Sequence, residues 1–395
     1  MNISFAQYFE QLSLMLLQYR AFWQVSPFRC QQLPWQNNVL LQRLNDIDDA
    51  TLQQIDGNTL LQQQYFADVL PQLFALPEWV NKAGTKDITA LPFWLENGIA
   101  GRKLQQIDAL CQFWPQTQLP VLEWCAGKGH LGRILAHRHG VAVTSVEWQA
   151  ALCQAGTALA EKFRLPQRFV CADVLKDTAS TPLQASQHVV ALHACGQLHI
   201  SLLQQAVTAG CQQLQLVPCC YHLIPDQRYQ PLSELAEQHD LKLSQDDLKL
   251  IVQGQVTGGE RIEKLRATEV LWRLAYDEIR RDLTGDTAYR PLSSVSKQCF
   301  TQDFQSFALW AAAQHQLTLP SALAEEEYMQ RARVRLKVVQ RIELVRHLFR
   351  RPLELWLALD KALFLQQHGY EVTLTTFCDY QITPRNLLLQ ASRLN

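Results

Sequence analysis

The chain has 395 residues, of which 48% are hydrophobic and 18% are charged, and its formal net charge is −1. This composition supplies enough apolar side chain for a folded core and excludes an intrinsically disordered protein. Its near-neutral charge is unusual for a dedicated nucleic-acid binder. No apolar run reaches about 18 residues, so we expect no membrane span, and the amphipathic N-terminus does not resemble a secretory signal. The 11 cysteines lack disulfide-framework spacing, which predicts a cytoplasmic location.

The first part of the chain predicts helices. Apolar periodicity favours helices over residues 3–23, 48–55 and 59–70, and prolines separate them as they do at helix ends. We therefore interpret residues 1–90 as a helical N-terminal domain for substrate placement or partner contact. A further helix over residues 95–113 leads into the first strand.

Residues 121–139 predict a strand, a glycine turn and a helix. The apolar strand 121–124 is followed by a turn with Gly127 and Gly129 and by a helix from Leu131 to His139. In an open α/β sheet this arrangement presents backbone N–H groups to a nucleotide-like ligand, and glycine lets the backbone approach it closely. Glycine turns of this kind serve many cofactors, so the motif alone does not identify the ligand.

Four more strands follow, over residues 141–147, 168–174, 188–196 and 213–222, with helices over 148–163 and 198–209 between them. The alternation predicts a parallel, Rossmann-like α/β sheet. Glu147 ends the second strand, where a carboxylate can bind ribose hydroxyls, and Asp173 ends the third, where it suits an adenine amino group. A phosphate cradle with Lys followed by Ser or Thr is missing. The pattern therefore favours S-adenosylmethionine over a nucleoside triphosphate, with a dinucleotide as the alternative.

The remaining residues predict a sheet interrupted by helices. We expect a helix over 232–239, a sixth strand over 248–253, helices over 260–283, 302–314, 324–347 and 352–368, and a closing strand over 371–377. The predicted domains after residue 90 are thus a core over 91–253, a helical insertion over 254–368, and a closing strand and C-terminal segment of the core over 369–395.

Three motifs resemble a known family. They are Glu-x-Cys-Ala-Gly-Lys-Gly-His-Leu-Gly at 123–132, Leu-His-Ala-Cys-Gly at 192–196 and Val-Pro-Cys-Cys-Tyr-His at 217–222. Together with segments 360–366 and 383–387, they resemble the methyltransferase group that includes the tRNA 2′-O-methyltransferase Trm-thirteen type and the glutathione-transferase-C-terminal-domain-containing proteins. The resemblance covers roughly residues 92–395, and Cys125 replaces the usual first glycine of the turn.

The resemblance implies a class I, S-adenosylmethionine-dependent methyltransferase, with RNA, and tRNA in particular, as the favoured acceptor. A protein or small-molecule methyltransferase and a non-catalytic binding module with this fold are the alternatives. With the strand ends, it predicts a cofactor site made of Glu123, Cys125, Ala126, Gly127, Lys128, Gly129, Glu147, Asp173, Val174, His193 and Cys195.

The ends of the fourth and fifth strands should flank the transferred methyl group, which makes His193, Cys219, Cys220, Tyr221 and His222 the catalytic candidates. In one hypothesis Tyr221 stacks on the acceptor, as does Pro218, and His193 or His222 is a general base. In a second, a cysteine attacks a pyrimidine ring. A third makes Cys195, Cys219, Cys220 and a histidine a metal site, but adjacent cysteines without Cys-x-x-Cys spacing disfavour it, so we predict no metal. The cysteines could also simply pack as small apolar groups.

A basic segment begins at Arg331 and follows the acidic residues 325–327. It includes Arg331, Arg333, Arg335, Lys337 and Arg341. Such a helix is either a solvated face whose charges match the helix dipole or a phosphate-contacting surface for RNA. We predict RNA binding through these residues, no membrane contact and no stable protein partner.

Overall fold

A computed structural model describes residues 3–77, 90–176, 182–253 and 260–394. The chain forms two compact units. The first contains Met1–Leu14, Pro77–Val252 and Pro352–Asn395, and the second contains Met15–Leu76 and Gln253–Arg351. This grouping differs from the four predicted domains, because most of the N-terminal helical region and most of the helical insertion fall in the same unit.

The first unit is built on a seven-stranded sheet. Its strands are β1 (Val121–Trp124), β2 (Val143–Glu147), β3 (Gln167–Cys171), β4 (His188–Cys195), β5 (Gln213–Cys219), β6 (Tyr370–Thr376) and β7 (Leu387–Arg393). The order is β3-β2-β1-β4-β5-β7-β6. Strands β1 to β5 are parallel, whereas β7 runs antiparallel to both β5 and β6. The order reverses between β1 and β4, the position at which open α/β sheets bind ligands.

Helices account for most of the remaining described chain. They are α1 (Phe5–Gln18), α2 (Arg20–Trp23), α3 (Asn38–Asp46), α4 (Asp49–Ile55), α5 (Thr59–Phe66), α6 (Pro71–Phe74), α7 (Phe93–Glu96), α8 (Gly101–Cys111), α9 (His130–His139), α10 (Ala150–Lys162), α11 (Gln197–Ala209), α12 (Glu234–Gln238), α13 (Gln245–Leu250), α14 (Glu260–Thr284), α15 (Phe304–Gln314), α16 (Glu325–His347) and α17 (Arg350–Gln367). Within the described ranges, none of these helices combines the length and the apolar character needed to cross a membrane.

The predicted α/β architecture is confirmed, with the five parallel strands close to their predicted positions. The predicted sixth strand over 248–253 is wrong. Ser244 and Asp247 form a reciprocal capping box that starts α13 at Gln245, and Leu248 and Leu250 are buried from that helix. The predicted helix over 95–113 is divided into α7 and α8, since Gly98, with a φ of +84°, lies between them.

The core of the first unit lies on the face of the sheet covered by α8 and α9. Every residue of β1 and β2 is buried, as expected for parallel strands with helices on both faces. Ile107, Leu110 and Ile134 from the helices pack with Val121 and Val190 from the strands. This packing fixes the carboxyl ends of the strands, where the predicted site residues lie.

In the second unit, α14, α15 and α16 pack around an apolar cluster that includes Ile279, Phe307 and Ala332. A buried charge cluster lies between α14 and α16. Arg335 donates to Asp277 at 2.8 Å and to Glu278 at 2.6 Å. Because all three side chains are buried, their charges must be paired locally.

Candidate active site

Three strand ends carry unusual backbone geometry. Cys125 after β1, His193 within β4 and Cys220 after β5 have φ values of 54°, 66° and 45°. This left-handed region is uncommon for residues other than glycine and costs of order 1–3 kcal/mol per residue. Such residues cluster at functional sites, and these three lie at the edge of the sheet where parallel strands present their carboxyl ends.

The glycine turn after β1 is held by the carboxylate that ends β2. The Gly127 backbone N–H donates to Glu147 Oε2 at 2.9 Å, and the Gln149 N–H donates to Oε1 at 3.0 Å. Gly127 has a φ of +59°, and among the described residues, apart from its two chain neighbours, no atom lies within 4 Å of where a Cβ would stand. The turn, which also contains Cys125, Ala126 and Lys128, therefore leaves open space beside a fixed carboxylate.

Gly129 has a different role from Gly127. A Cβ on Gly129 would lie 2.4 Å from both the Phe169 ring and Gln167 Nε2. Gln167 also donates to the Gly129 carbonyl oxygen at 3.0 Å. The residue thus allows α9 to pack closely against β3, and its place in the motif reflects packing of the turn.

Glu123 lies beneath the turn and is buried. Its Oε2 accepts a hydrogen bond from Ser145 Oγ at 2.7 Å. Burial raises the pKa of this carboxyl to about 7, although the Ser145 hydroxyl, the Gly132 backbone N–H and Lys103 oppose the effect. Glu123 thus accepts hydrogen bonds from Ser145 on β2 and from Gly132 in the first turn of α9, and it links the strand before the predicted cofactor loop to the helix after it.

The residues after β2 and β3 complete one half of the site. Asp173 Oδ1 accepts from the Leu175 N–H at 3.1 Å, and that bond is the main cause of a lowered Asp173 pKa. Val174 is buried, while Leu175 and Trp148 remain exposed. Two carboxylates beside exposed apolar side chains and an open glycine turn fit a nucleoside with a ribose and an adenine, as S-adenosylmethionine requires.

The other half of the site begins at a bulge in β4. The pairing register with β5 shifts between Leu192 and Ala194, so His193 projects out of the ladder. Its Nε2 forms a 2.8 Å hydrogen bond with Gln106 Oε1 on α8. Burial, followed by the charge of Lys103, lowers the pKa of His193 to about 4. His193 is consequently a neutral imidazole at neutral pH.

Cys195, Cys219 and Cys220 form a thiol cluster at the ends of β4 and β5. Their Sγ atoms all lie within 4.8 Å of one another, and the Cys195 and Cys219 sulfurs are 3.2 Å apart. Cys195 and Cys219 are paired in register on neighbouring strands. Thiol hydrogen bonds from Cys195 and Cys219 lower the Cys220 pKa, whereas that of Cys219 is raised, so the negative charge of the cluster favours Cys220.

Two other candidates differ in accessibility. Tyr221 is 1% exposed, and its ring lies 5.3 Å from the Lys361 ammonium. The prediction that Tyr221 stacks on an acceptor is therefore wrong, because the turn after Cys220 directs this ring into the core, where it also meets His199 at 5.5 Å between ring centroids. Pro218 is likewise buried within β5. His222 is half-buried, and within the described chain its Nδ1 has no hydrogen-bond partner.

The structure adds residues that sequence reasoning missed. Gln106 on α8 contacts His193, and Arg385, in the loop before β7, donates to the Val252 carbonyl oxygen at 3.3 Å. The charge of Arg385 affects the pKa values of His193, Cys220 and His222, which locates it on this side of the site. Amphipathic periodicity in α8 was the signal available for Gln106. For Arg385 the signal was its position in the resembling segment 383–387.

The basic residues of α16 are largely engaged inside the second unit. Arg331 bonds to Glu278 at 2.6 Å and to Asp282 at 2.5 Å, and Arg335 is buried. Arg333 pairs with Glu326 at 2.7 Å. Arg341 donates to the backbone carbonyls of Leu44 and Ile47 at 2.8 Å and 2.6 Å, while Lys337 is exposed. The arginines of the predicted phosphate-contacting surface are thus already paired with acidic side chains or hydrogen-bonded to backbone carbonyls, whereas Lys337 is exposed.

A comparison with protein families agrees with the type of domain that the strand order and the glycine turn indicate. A family described as "Methyltransferase domain" matches residues 102–227, which include α8, β1 to β5 and the thiol cluster. Residues 102–227 are therefore similar to a methyltransferase domain. The matched range contains the glycine turn and Glu147, which are predicted to bind S-adenosylmethionine. No curated protein matches the chain.

Several solved structures resemble part of the chain. A geranyl diphosphate methyltransferase in complex with GPP and sinefungin is 16% identical over 28% of this chain and 43% of its own, with a TM-score of 0.25. The geranyl diphosphate C-methyltransferase of Streptomyces coelicolor A3(2) is 14% identical over 46% of this chain and 64% of its own, with a TM-score of 0.26. An Aquifex aeolicus SAM-dependent methyltransferase is 14% identical over 31% of this chain and 69% of its own, also with a TM-score of 0.26. The chain thus spans less than half of the first of these structures. TM-scores this low carry no argument about the methyl acceptor of this chain.

Proposed function

We propose that this enzyme methylates an anionic acceptor, with RNA, and tRNA in particular, as the first candidate. The observation that carries the proposal is the presence of two cationic side chains, Lys103 and Arg385, near His193. On the cofactor half, Glu147 ends β2 and Asp173 follows β3. Lys103 on α8 and Arg385 in the loop before β7 are within electrostatic reach of His193, and Lys103 is also within reach of Glu123 and Cys219. A cationic surround at the acceptor half favours an acceptor that carries phosphate or carboxylate groups.

When bound, S-adenosylmethionine supplies a methyl group that is already activated for transfer. The chain must therefore orient the acceptor and, for a hydroxyl or amine, take up its proton. His193 and His222 bring imidazole nitrogens to the ends of β4 and β5. Gln106 holds His193 through a bond of 2.8 Å, which fixes the orientation of that ring. These residues support transfer to a hydroxyl or amine, such as a ribose 2′-hydroxyl or a base amino group.

RNA is preferred because the three motifs that surround the site resemble a tRNA-methylating group. Binding through α16, as the sequence predicts, has weaker support, since Arg331 and Arg335 are already engaged with acidic side chains. That pairing favours a second candidate, a small anionic molecule that needs only Lys103 and Arg385. A protein acceptor has no comparable observation in its favour.

The deciding experiment compares acceptors directly. Purified enzyme and S-adenosylmethionine labelled in the methyl group are incubated with total tRNA from a deletion strain, or with the small-molecule fraction of that strain. We expect label in tRNA, released as one methylated nucleoside after digestion. Label only in the small-molecule fraction would establish the second candidate and refute the first.

Two variants test the route of binding. Arg385→Gln should lower kcat/KM for the labelled acceptor by about tenfold, as expected for one lost contact to an anion. Arg333→Gln is the matched control, since that side chain is exposed on α16 and paired with Glu326. Equal losses in both variants would contradict the assignment of the acceptor to the β4–β5 half.

A further inference from the structure

The thiol cluster has a geometry that methyl transfer does not require. We propose that Cys195, Cys219 and Cys220 bind one thiophilic metal ion, Zn²⁺ in first place, at the carboxyl ends of β4 and β5. This inference is independent of the proposed acceptor, because it rests on the arrangement of three sulfur atoms within the sheet.

The distances match a three-thiolate site. A tetrahedral Zn²⁺ with bonds of about 2.3 Å to sulfur separates its sulfur ligands by about 3.8 Å. In the structure the Cys195 and Cys219 sulfurs are 3.2 Å apart and all three sulfurs lie within 4.8 Å of one another. Small side-chain rotations would equalise these separations. Soft thiolate sets of this kind select Zn²⁺ or Cu(I) over the harder divalent ions.

The backbone explains how two adjacent cysteines contribute to one site. In an extended strand, neighbouring side chains point to opposite faces of the sheet. Cys219 ends β5 as a buried residue, but Cys220 follows with a φ of 45°. The left-handed conformation returns the Cys220 sulfur to the side that Cys219 and Cys195 share. It thereby removes the objection that adjacency raised against a metal site in the sequence.

The surroundings of the cluster suit a bound cation with three thiolates. Three thiolates and Zn²⁺ sum to one negative charge, and Lys103 and Arg385 lie within electrostatic reach of Cys219 and Cys220, respectively. His222, two residues after Cys220, has a buried Nδ1 with no hydrogen-bond partner in the described part of the chain. An imidazole nitrogen is a common Zn²⁺ ligand, but no His222 nitrogen lies within 4.8 Å of all three sulfurs, so water fills the fourth position.

The test measures metal binding by the full-length protein. The enzyme is reduced, stripped of metal with a chelator and titrated with Zn²⁺ against a chromophoric competitor. We expect one Zn²⁺ per chain, together with protection of the three thiols from alkylation by iodoacetamide, read by peptide mass spectrometry. Cobalt(II) in place of Zn²⁺ should give thiolate-to-metal charge-transfer absorption, which an oxygen-ligated surface site would lack.

Two variants and one control make the result specific. Cys220→Gly removes a ligand while glycine accepts the left-handed backbone, so the fold should be retained. Cys195→Ser removes a ligand on the other strand. Each should weaken Zn²⁺ binding at least about 100-fold. Cys171→Ser removes an exposed thiol at the end of β3 and should leave binding unchanged. Circular dichroism confirms that each variant is folded.

The proposal is overturned if the reduced wild-type protein binds no Zn²⁺ at stoichiometric concentration. It is equally overturned if Cys220→Gly and Cys195→Ser, both folded, bind Zn²⁺ as tightly as the wild type. A Cys195–Cys219 disulfide that forms in the metal-free protein under air, with no Zn²⁺ binding after reduction, would assign the cluster to redox chemistry instead.

Discussion

Glu123→Gln should change how the stability of the first unit depends on pH. The Glu123 carboxyl has a pKa of about 7 in the folded protein, against an ordinary value of 4.5, chiefly because it is buried. A difference of that size corresponds to about 3 kcal/mol between the protonated and ionised forms. The protonated form is favoured in the folded state, so the associated stability is fully present below pH 4.5 and is lost as the pH rises towards 7.

Glutamine has nearly the shape of a protonated glutamate, and its Oε1 can accept the Ser145 hydrogen bond. The variant should therefore lack the loss of stability between pH 4.5 and 7. Relative to the wild type, its free energy of unfolding should rise by up to about 3 kcal/mol across this range. Comparing differences between two pH values cancels the constant effects of the substitution on packing.

The assay is urea denaturation of both proteins at several pH values from 4.5 to 8. Glu10→Gln, at an exposed position on α1, is the matched control and should follow the wild-type profile. Parallel profiles for Glu123→Gln and the wild type would refute the reasoning. They would mean that Glu123 is ionised in the folded protein throughout this range. Its hydrogen bonds and the nearby positive charges would then stabilise the carboxylate by at least as much as burial destabilises it.

Two further substitutions, each compared with a control substitution, test the packing of the two units. Gly196→Ala should destabilise the fold by several kcal/mol, because φ is +53° and a Cβ would stand 2.0 Å from the Leu223 carbonyl oxygen, whereas Gly140→Ala, with φ +65° and open space, should cost about 1 kcal/mol. Thermal unfolding of the two variants distinguishes them, and equal melting temperatures would contradict the close contact. Arg335→Met removes one cation from the buried cluster, while Arg280 and Arg281 stay paired with Asp277 and Arg331 stays paired with Glu278, so it should cost about 1.5–3 kcal/mol. Arg333→Met at an exposed pair should cost less than about 1 kcal/mol by urea unfolding. Similar losses in the free energy of unfolding for both variants would show that water reaches the Arg335 cluster, so that it contributes no more than an exposed ion pair.

The parallel part of the sheet was predictable because each strand is a short apolar run between turn signals. β1 and β2 are buried throughout, so neither strand has an alternating polar face to confuse the pattern. The antiparallel edge was harder. β6 alternates between buried and exposed residues and was predicted, but β7 follows a loop containing Pro384 and was not. Residues 248–253 are apolar enough for a strand, and only the capping box of Ser244 reveals the helix.

The candidate site was also only partly predictable from the sequence. Residues at strand ends could be placed from topology alone, since the carboxyl ends of parallel strands share one edge. Their orientations could not, because they depend on the bulge at His193 and the left-handed backbone at Cys220. The ion pairs of the basic residues on α16 were also not predictable from the sequence. The basic segment of α16 is dense in charge, but its partners Asp277, Glu278 and Asp282 lie about fifty residues earlier, on α14.

The left-handed residues at three strand ends connect the cofactor half of the site with the acceptor half. Each would be more stable as glycine, by of order 1 kcal/mol, yet the chain has Cys125, His193 and Cys220 at these positions. Side chains with sulfur or imidazole groups at strained positions of one sheet edge are difficult to explain by packing, which smaller residues would satisfy. At Cys220 the strain turns a sulfur towards two others, and at His193 it brings an imidazole to Gln106. Replacing each by glycine therefore separates chemistry from folding, because a loss of function without a loss of stability can only come from the side chain.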